Sequence, residues 1–99
     1  MLSDKMARWS KAKFTPDPEV VFTKLKNDGA VLLHLGTNQY FSLNETGTLI
    51  WELLKEGHTL DETSRQIEEK FDVSLEVAQQ SAFELIEQLV NEKLLHEGD

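Results

Sequence analysis

The chain has no cysteine among its 99 residues. That excludes a disulfide framework, a thiolate zinc or iron–sulfur site and a CxxC redox pair on this polypeptide. No apolar run approaches the ~20 residues of a membrane span, and the opening Met1-Leu2-Ser3-Asp4-Lys5 lacks the apolar core of a signal peptide. A cytoplasmic protein that does not engage a membrane is therefore expected. The glycines stand singly, so no phosphate-cradling loop is present, and no segment repeats or is low in complexity.

Positive charge is scarce where a nucleic-acid reader would need it. The net charge is −8, and residues 1–58 balance seven basic against seven acidic side chains. Residues 59–99 set only Arg65, Lys70 and Lys93 against eleven carboxylates. Affinity for DNA rests largely on cations that neutralise phosphates, so this acidic half is a poor groove reader and no nucleic-acid partner is expected.

What is present is organised around residues 34–51. Gly36-Thr37-Asn38 can supply the positive φ of a tight antiparallel turn, and Gln39 to Leu43 alternates polar and apolar around two aromatics. Asn44 then stands as a helix N-cap, Glu45 places a negative charge in the first turn, and Leu49, Ile50, Leu53 and Leu54 form an apolar face. Upstream, residues 19–25 are rich in β-branched and aromatic side chains, Asn27-Asp28-Gly29 has strong turn chemistry, and Ala30 to Leu35 reads as a central strand. Three strands in a meander leave the first and third as edges. Trp51 is expected in the core.

Downstream, Lys55-Glu56-Gly57 suits a helix end, and Thr59-Leu60-Asp61-Glu62 matches a capping box that opens a second helix with Leu60, Thr63, Ile67 and Phe71 on its buried face. Either Asp72 or Ser74 caps a third helix of about five turns, from Leu75 to near Lys93. At 100° per residue its apolar side chains form two stripes, Ala78, Ala82, Leu85, Leu89 and Phe83, Ile86, Val90, Leu94. One stripe suffices for the preceding helices. The other must meet the sheet, the C-terminal leucines or a partner.

The predicted order is βββααα: an α+β chain with a winged-helix-like arrangement, a three-stranded antiparallel sheet followed by a three-helix bundle, in a single domain over residues 19–95. Residues 1–18 read as an irregular lead-in. Its cations interleave with Trp9 and Phe14, which suits a nucleic-acid or membrane-surface arm, or else a tail that is disordered or packs Trp9 or Phe14 back onto the domain. Residues 96–99 read as a C-terminal tail. His34, His58 and His96 are widely spaced, and the paired carboxylates diverge around their helices. With no catalytic constellation, no metal set and no cofactor motif, the chain is expected to be a binding module and not an enzyme.

Residues 35–95 resemble the PqqD-like family. The resemblance is carried by Gln39-Tyr40-Phe41-Ser42-Leu43-Asn44-Glu45-Thr46-Gly47, by Ile50-Trp51, by the Gly57-His58-Thr59-Leu60-Asp61-Glu62 turn and by the closing Leu89-Val90-Asn91-Glu92-Lys93-Leu94-Leu95. It implies a recognition element for ribosomally synthesised, modified peptides. A precursor's leader would add as a strand to the third strand, and the chain would present it to a separate enzyme such as a radical S-adenosylmethionine enzyme or a leader peptidase. With the edge and the surplus stripe, this points to a leader running antiparallel along Gln39, Tyr40, Phe41 and Ser42. Its apolar side chains would enter a groove lined by Phe83 and Ile86 and bordered by Gln79. A winged-helix nucleic-acid-binding protein and a structural domain that dimerises through the same edge are the alternatives. As a peptide binder, the chain would be a monomer or a weak homodimer.

Overall fold

The computed structural model describes residues 4–98. Its core is the predicted arrangement. An antiparallel meander is formed by β2 (Val20–Lys24), β3 (Ala30–His34) and β4 (Gln39–Leu43), with β3 in the centre. Three helices follow, α2 (Glu45–Lys55), α3 (Leu60–Phe71) and α4 (Leu75–Asn91).

Local chemistry sets each boundary. Asp28, at φ 69°, turns β2 into β3, and Asn38, at φ 64°, turns β3 into β4; such left-handed positions favour Asn and Asp over other non-glycine residues. In the second turn the amides of Gly36 and Thr37 donate to Nδ1 of His34 at 3.0 and 3.2 Å. The buried histidine therefore fixes the hairpin from within. Asn44 caps α2 by accepting from the Gly47 amide at 2.7 Å. Thr59 and Glu62 close a reciprocal capping box on α3. Ser74 caps α4, while Asp72, at φ 53°, ends α3.

Residues 4–18 and 96–98 depart from the sequence reading, while the parts of the lead-in and tail at residues 1–3 and 99 lie outside the described residues. Asp4–Trp9 form a short helix, α1, Lys13–Pro16 form β1, and β1 pairs antiparallel with β5 (Leu95–Gly98) in a second, two-stranded sheet. Six residues are too few for a stable helix in isolation. Tertiary burial holds α1 in place, because Met6, Trp9, Phe14 and Leu95 are all in the core. The Trp9 ring meets Phe14 edge-on at 5.1 Å and Phe83 at 5.8 Å. Lys5 bonds Glu87 at 3.2 Å, and the Trp9 indole donates to Glu97 at the same distance.

The remaining core follows from amphipathic phase. Trp51 is 1% exposed, and Ile50, Leu54, Leu60, Ile67, Ala78, Ala82 and Leu89 bury the helical faces around it. From the sheet, Ala30, Leu32 and Leu43 point inward with the half-buried Phe22 and Phe41. Among the described residues, no helix is long and apolar enough to cross a membrane.

Candidate functional site

The free edges of the meander differ in chemistry. In an antiparallel ladder, residues alternate between bonding one neighbour and pointing the other way. The Leu25 amide bonds the Gly29 carbonyl and the Leu35 amide bonds the Glu19 carbonyl, which fixes the phase of the β2–β3 pairing. Alternate β3 residues, Ala30, Leu32 and His34, therefore turn their backbone groups toward Leu43, Phe41 and Gln39 of β4. Tyr40 and Ser42 are left with N–H and C=O groups directed to the open edge. No charge, proline or bulge blunts β4, whereas the β2 edge carries Lys24 and follows Pro18.

Beside the β4 edge lies a cleft of about 710 Å³. Phe41, Ser42, Leu43 and Asn44 form one wall, Thr46, Gly47 and Ile50 of α2 form the floor, and Ser81, Leu85 and Gln88 of α4 form the other wall. Gly47 is what lets the helices and strand approach so closely. A Cβ there would lie 3.2 Å from Leu43 Cδ2, 3.3 Å from Asn44 Oδ1 and 3.4 Å from Leu85 Cδ2. Any larger side chain would project into the space these three residues enclose.

The structure divides the sequence-predicted residues into two groups. Phe41 and Ser42 line the cleft, and Gln39 and Tyr40 continue the same strand. Phe83 and Ile86 do not line it: they are 8% and 0% exposed, and Phe83 packs against Trp9. Gln79 is half-buried and also lies outside the lining. The helical wall of the cleft is formed by Leu85, with Ser81 and Gln88 on the same helical phase, and not by Phe83 and Ile86. The inversion has a simple cause, since α1 supplies Trp9 to cover the Phe83 stripe. Gly47 was the available signal: it stands in the first turn of α2, where no positive φ calls for glycine, so its presence asks for a packing reason.

Away from the cleft, Asp17 joins the two sheets. His96 Nε2 donates to Asp17 Oδ2 at 2.6 Å, and the Glu19 amide donates to Oδ1 at 2.8 Å. The His96 bond first, and the Glu19 amide second, hold the Asp17 carboxyl below its ordinary pKa. His34 Nε2 lies 3.6 Å from the same carboxylate. Ligand atoms of Asp17, Glu19 and His34 fall within 4.8 Å of one another, but the histidine is poorly disposed toward a metal. Its Nδ1 accepts two amide N–H groups, so the ring proton belongs on Nε2. A metal at Nε2 would move that proton onto Nδ1, against the two amides. The trio is a structural tie.

A sequence profile described as coenzyme PQQ synthesis protein D (PqqD) matches residues 29–95. The chain belongs to the PqqD family. The matched span runs from the β2–β3 turn to the start of β5 and contains the whole cleft, while α1, β1 and β2 lie outside it. Among solved structures, this PqqD-family chain is similar to TbiB1 in complex with the TbiA(beta) leader peptide. Identity is 32%, the TM-score 0.77, and the match covers 83% of this chain and 94% of TbiB1. It is also similar to a lasso peptide synthetase B1 complexed with the leader peptide, at 25% identity and TM-score 0.79, over 86% of this chain and 99% of the other. No curated protein matches the chain.

Proposed function

We propose that this chain is a non-catalytic recognition domain that captures the leader of a ribosomally synthesised precursor peptide and presents it to a modifying enzyme. The observation that carries the reading is the continuity of an unblunted strand edge with a cleft. Tyr40 and Ser42 offer backbone donors and acceptors, and Phe41, Leu43 and Leu85 offer apolar contact alongside them. An antiparallel strand added there gains orientation from the ladder and selectivity from the cleft, because strand addition reads alternate side chains. The two similar structures, each holding a leader peptide, support the same reading. The enzyme served would be a radical S-adenosylmethionine enzyme or a leader peptidase, and the chemistry would be the enzyme's own.

The test is an amide-shift titration of isotope-labelled protein with the synthetic leader of a candidate precursor found by reading the neighbouring frames. Shifts are expected to concentrate at Tyr40, Phe41, Ser42, Gly47 and Leu85. Shifts confined to β2, or to residues 4–16, would place the peptide elsewhere and overturn the assignment.

A further inference from the structure

The sheet has a second face, turned away from the helices. Of the exposed large hydrophobic side chains among the described residues, Val21 (43%), Leu25 (43%), Leu35 (57%) and Tyr40 (72%) belong to the meander, and only Val77 lies elsewhere. Strand alternation puts all four on the outer face. The inward set is Val20, Phe22, Ala30, Leu32, His34, Phe41 and Leu43, so Val21, Leu25, Leu35 and Tyr40 fall on the opposite parity. Val31 and Leu33 fill the centre of this face, half-buried, and Thr23 and Ser42 add only hydroxyls. A solvated sheet face normally carries polar residues. This one is mainly apolar on a chain of net charge −8, with Glu19, opposite Leu35 at its margin, as the one charged residue that the same alternation adds among the described residues.

We propose that the outer face of the β2–β3–β4 sheet is the docking surface for the enzyme that acts on the precursor peptide. The inference rests on the leader-binding reading above and adds the place where the enzyme meets the complex. Continuity argues for this occupant. A leader strand added at β4 sends alternate side chains to the cleft and the others onto the outer face beside Tyr40. An enzyme seated on that face touches the domain and the peptide together, so its affinity rises when the leader is bound. Size and charge argue against a second copy of this chain. Three strands of five residues span roughly 15 by 17 Å, on the order of 250 Å². A stable interface needs about 800 Å² per partner. Two chains of charge −8 also repel. A small apolar face suits a transient complex with a different protein, one whose surface is apolar and ringed by basic side chains.

The experiment places the photo-crosslinking amino acid p-benzoylphenylalanine at Val21, with Gln66 on the exposed face of α3 as the control position, in cells producing the precursor. The expected result is a Val21 crosslink to the enzyme that modifies or cleaves the precursor, reduced about tenfold when the precursor's leader is deleted. In the reconstituted reaction, Val21→Lys should slow modification about tenfold while leader affinity, measured by titration, stays the same. A crosslink to a second copy, a crosslink only to a protein without activity on the precursor, or no excess over Gln66 would each overturn the inference. So would full modification by Val21→Lys. The amide titration separates the two readings: shifts along β4 without the Val21 crosslink would sink this inference alone, and shifts elsewhere would sink the leader site first.

Discussion

The two flanks of α4 are built from similar side chains and end differently. Phe83 and Ile86 lie on the flank closed by the protein itself, where Trp9 approaches Phe83 to 5.8 Å. Leu85 lies on the other, half-buried beside a cleft of about 710 Å³. Apolarity alone does not distinguish a covered stripe from one left open to a cleft. What distinguishes them is whether the chain elsewhere supplies a cover, and for Phe83 the cover comes from a helix some seventy residues earlier in the sequence.

Substitutions on the two flanks should act in opposite ways. On the closed side, Phe83→Ala or Trp9→Ala should cost about 3–5 kcal/mol, like Trp51→Ala in the shared core. Denaturant unfolding would measure this, and the remaining folded Phe83→Ala protein should bind leader within about twofold of wild type. On the open side the pattern reverses. Leu85→Ala should lower stability by only about 1–2 kcal/mol, because the side chain is half-exposed, and weaken leader binding about tenfold by calorimetry.

Ser42→Pro sharpens the contrast further, since it removes an outward N–H and leaves the β3 ladder whole. A loss of about fivefold in leader affinity with a near-normal melting midpoint is expected. The smallest effect belongs to Asp17, remote from both flanks. Because its carboxyl pKa is lowered in the folded state, by His96 first, its contribution is complete above the ordinary carboxylate pKa and is lost as the pH falls through the lowered value. Asp17→Asn should lower the melting midpoint by roughly a degree or two at neutral pH, and the difference should close in strong acid.

Legibility in the sequence followed the range of the interactions. The meander, the capped α2 and the capping box of α3 depend on residues close in sequence and were readable, as was the burial of Trp51 from the amphipathic phase of α2. The β1–β5 sheet pairs Lys13 with Gly98 and Pro16 with Leu95; no local pattern reports such a pairing. Without that pairing, which places Trp9, the sequence does not tell which flank of α4 is covered: the structure puts Trp9 against Phe83 and leaves Leu85 beside the cleft. The outward phase of Tyr40 and Ser42 was likewise out of reach, since it depends on which residues of β3 bond to β2.

The β1–β5 pairing also orders events while the chain is being made. The strands β2, β3 and β4 are joined by short turns and close locally, as soon as residue 43 is available. Trp9, Phe14 and Leu95 reach their burial only after residues 95–98 have been synthesised. Until then a chain that has closed the meander would leave Trp9 and Phe14 uncovered. That interval adds two aromatic side chains to the apolar surface that the finished fold leaves open to self-association.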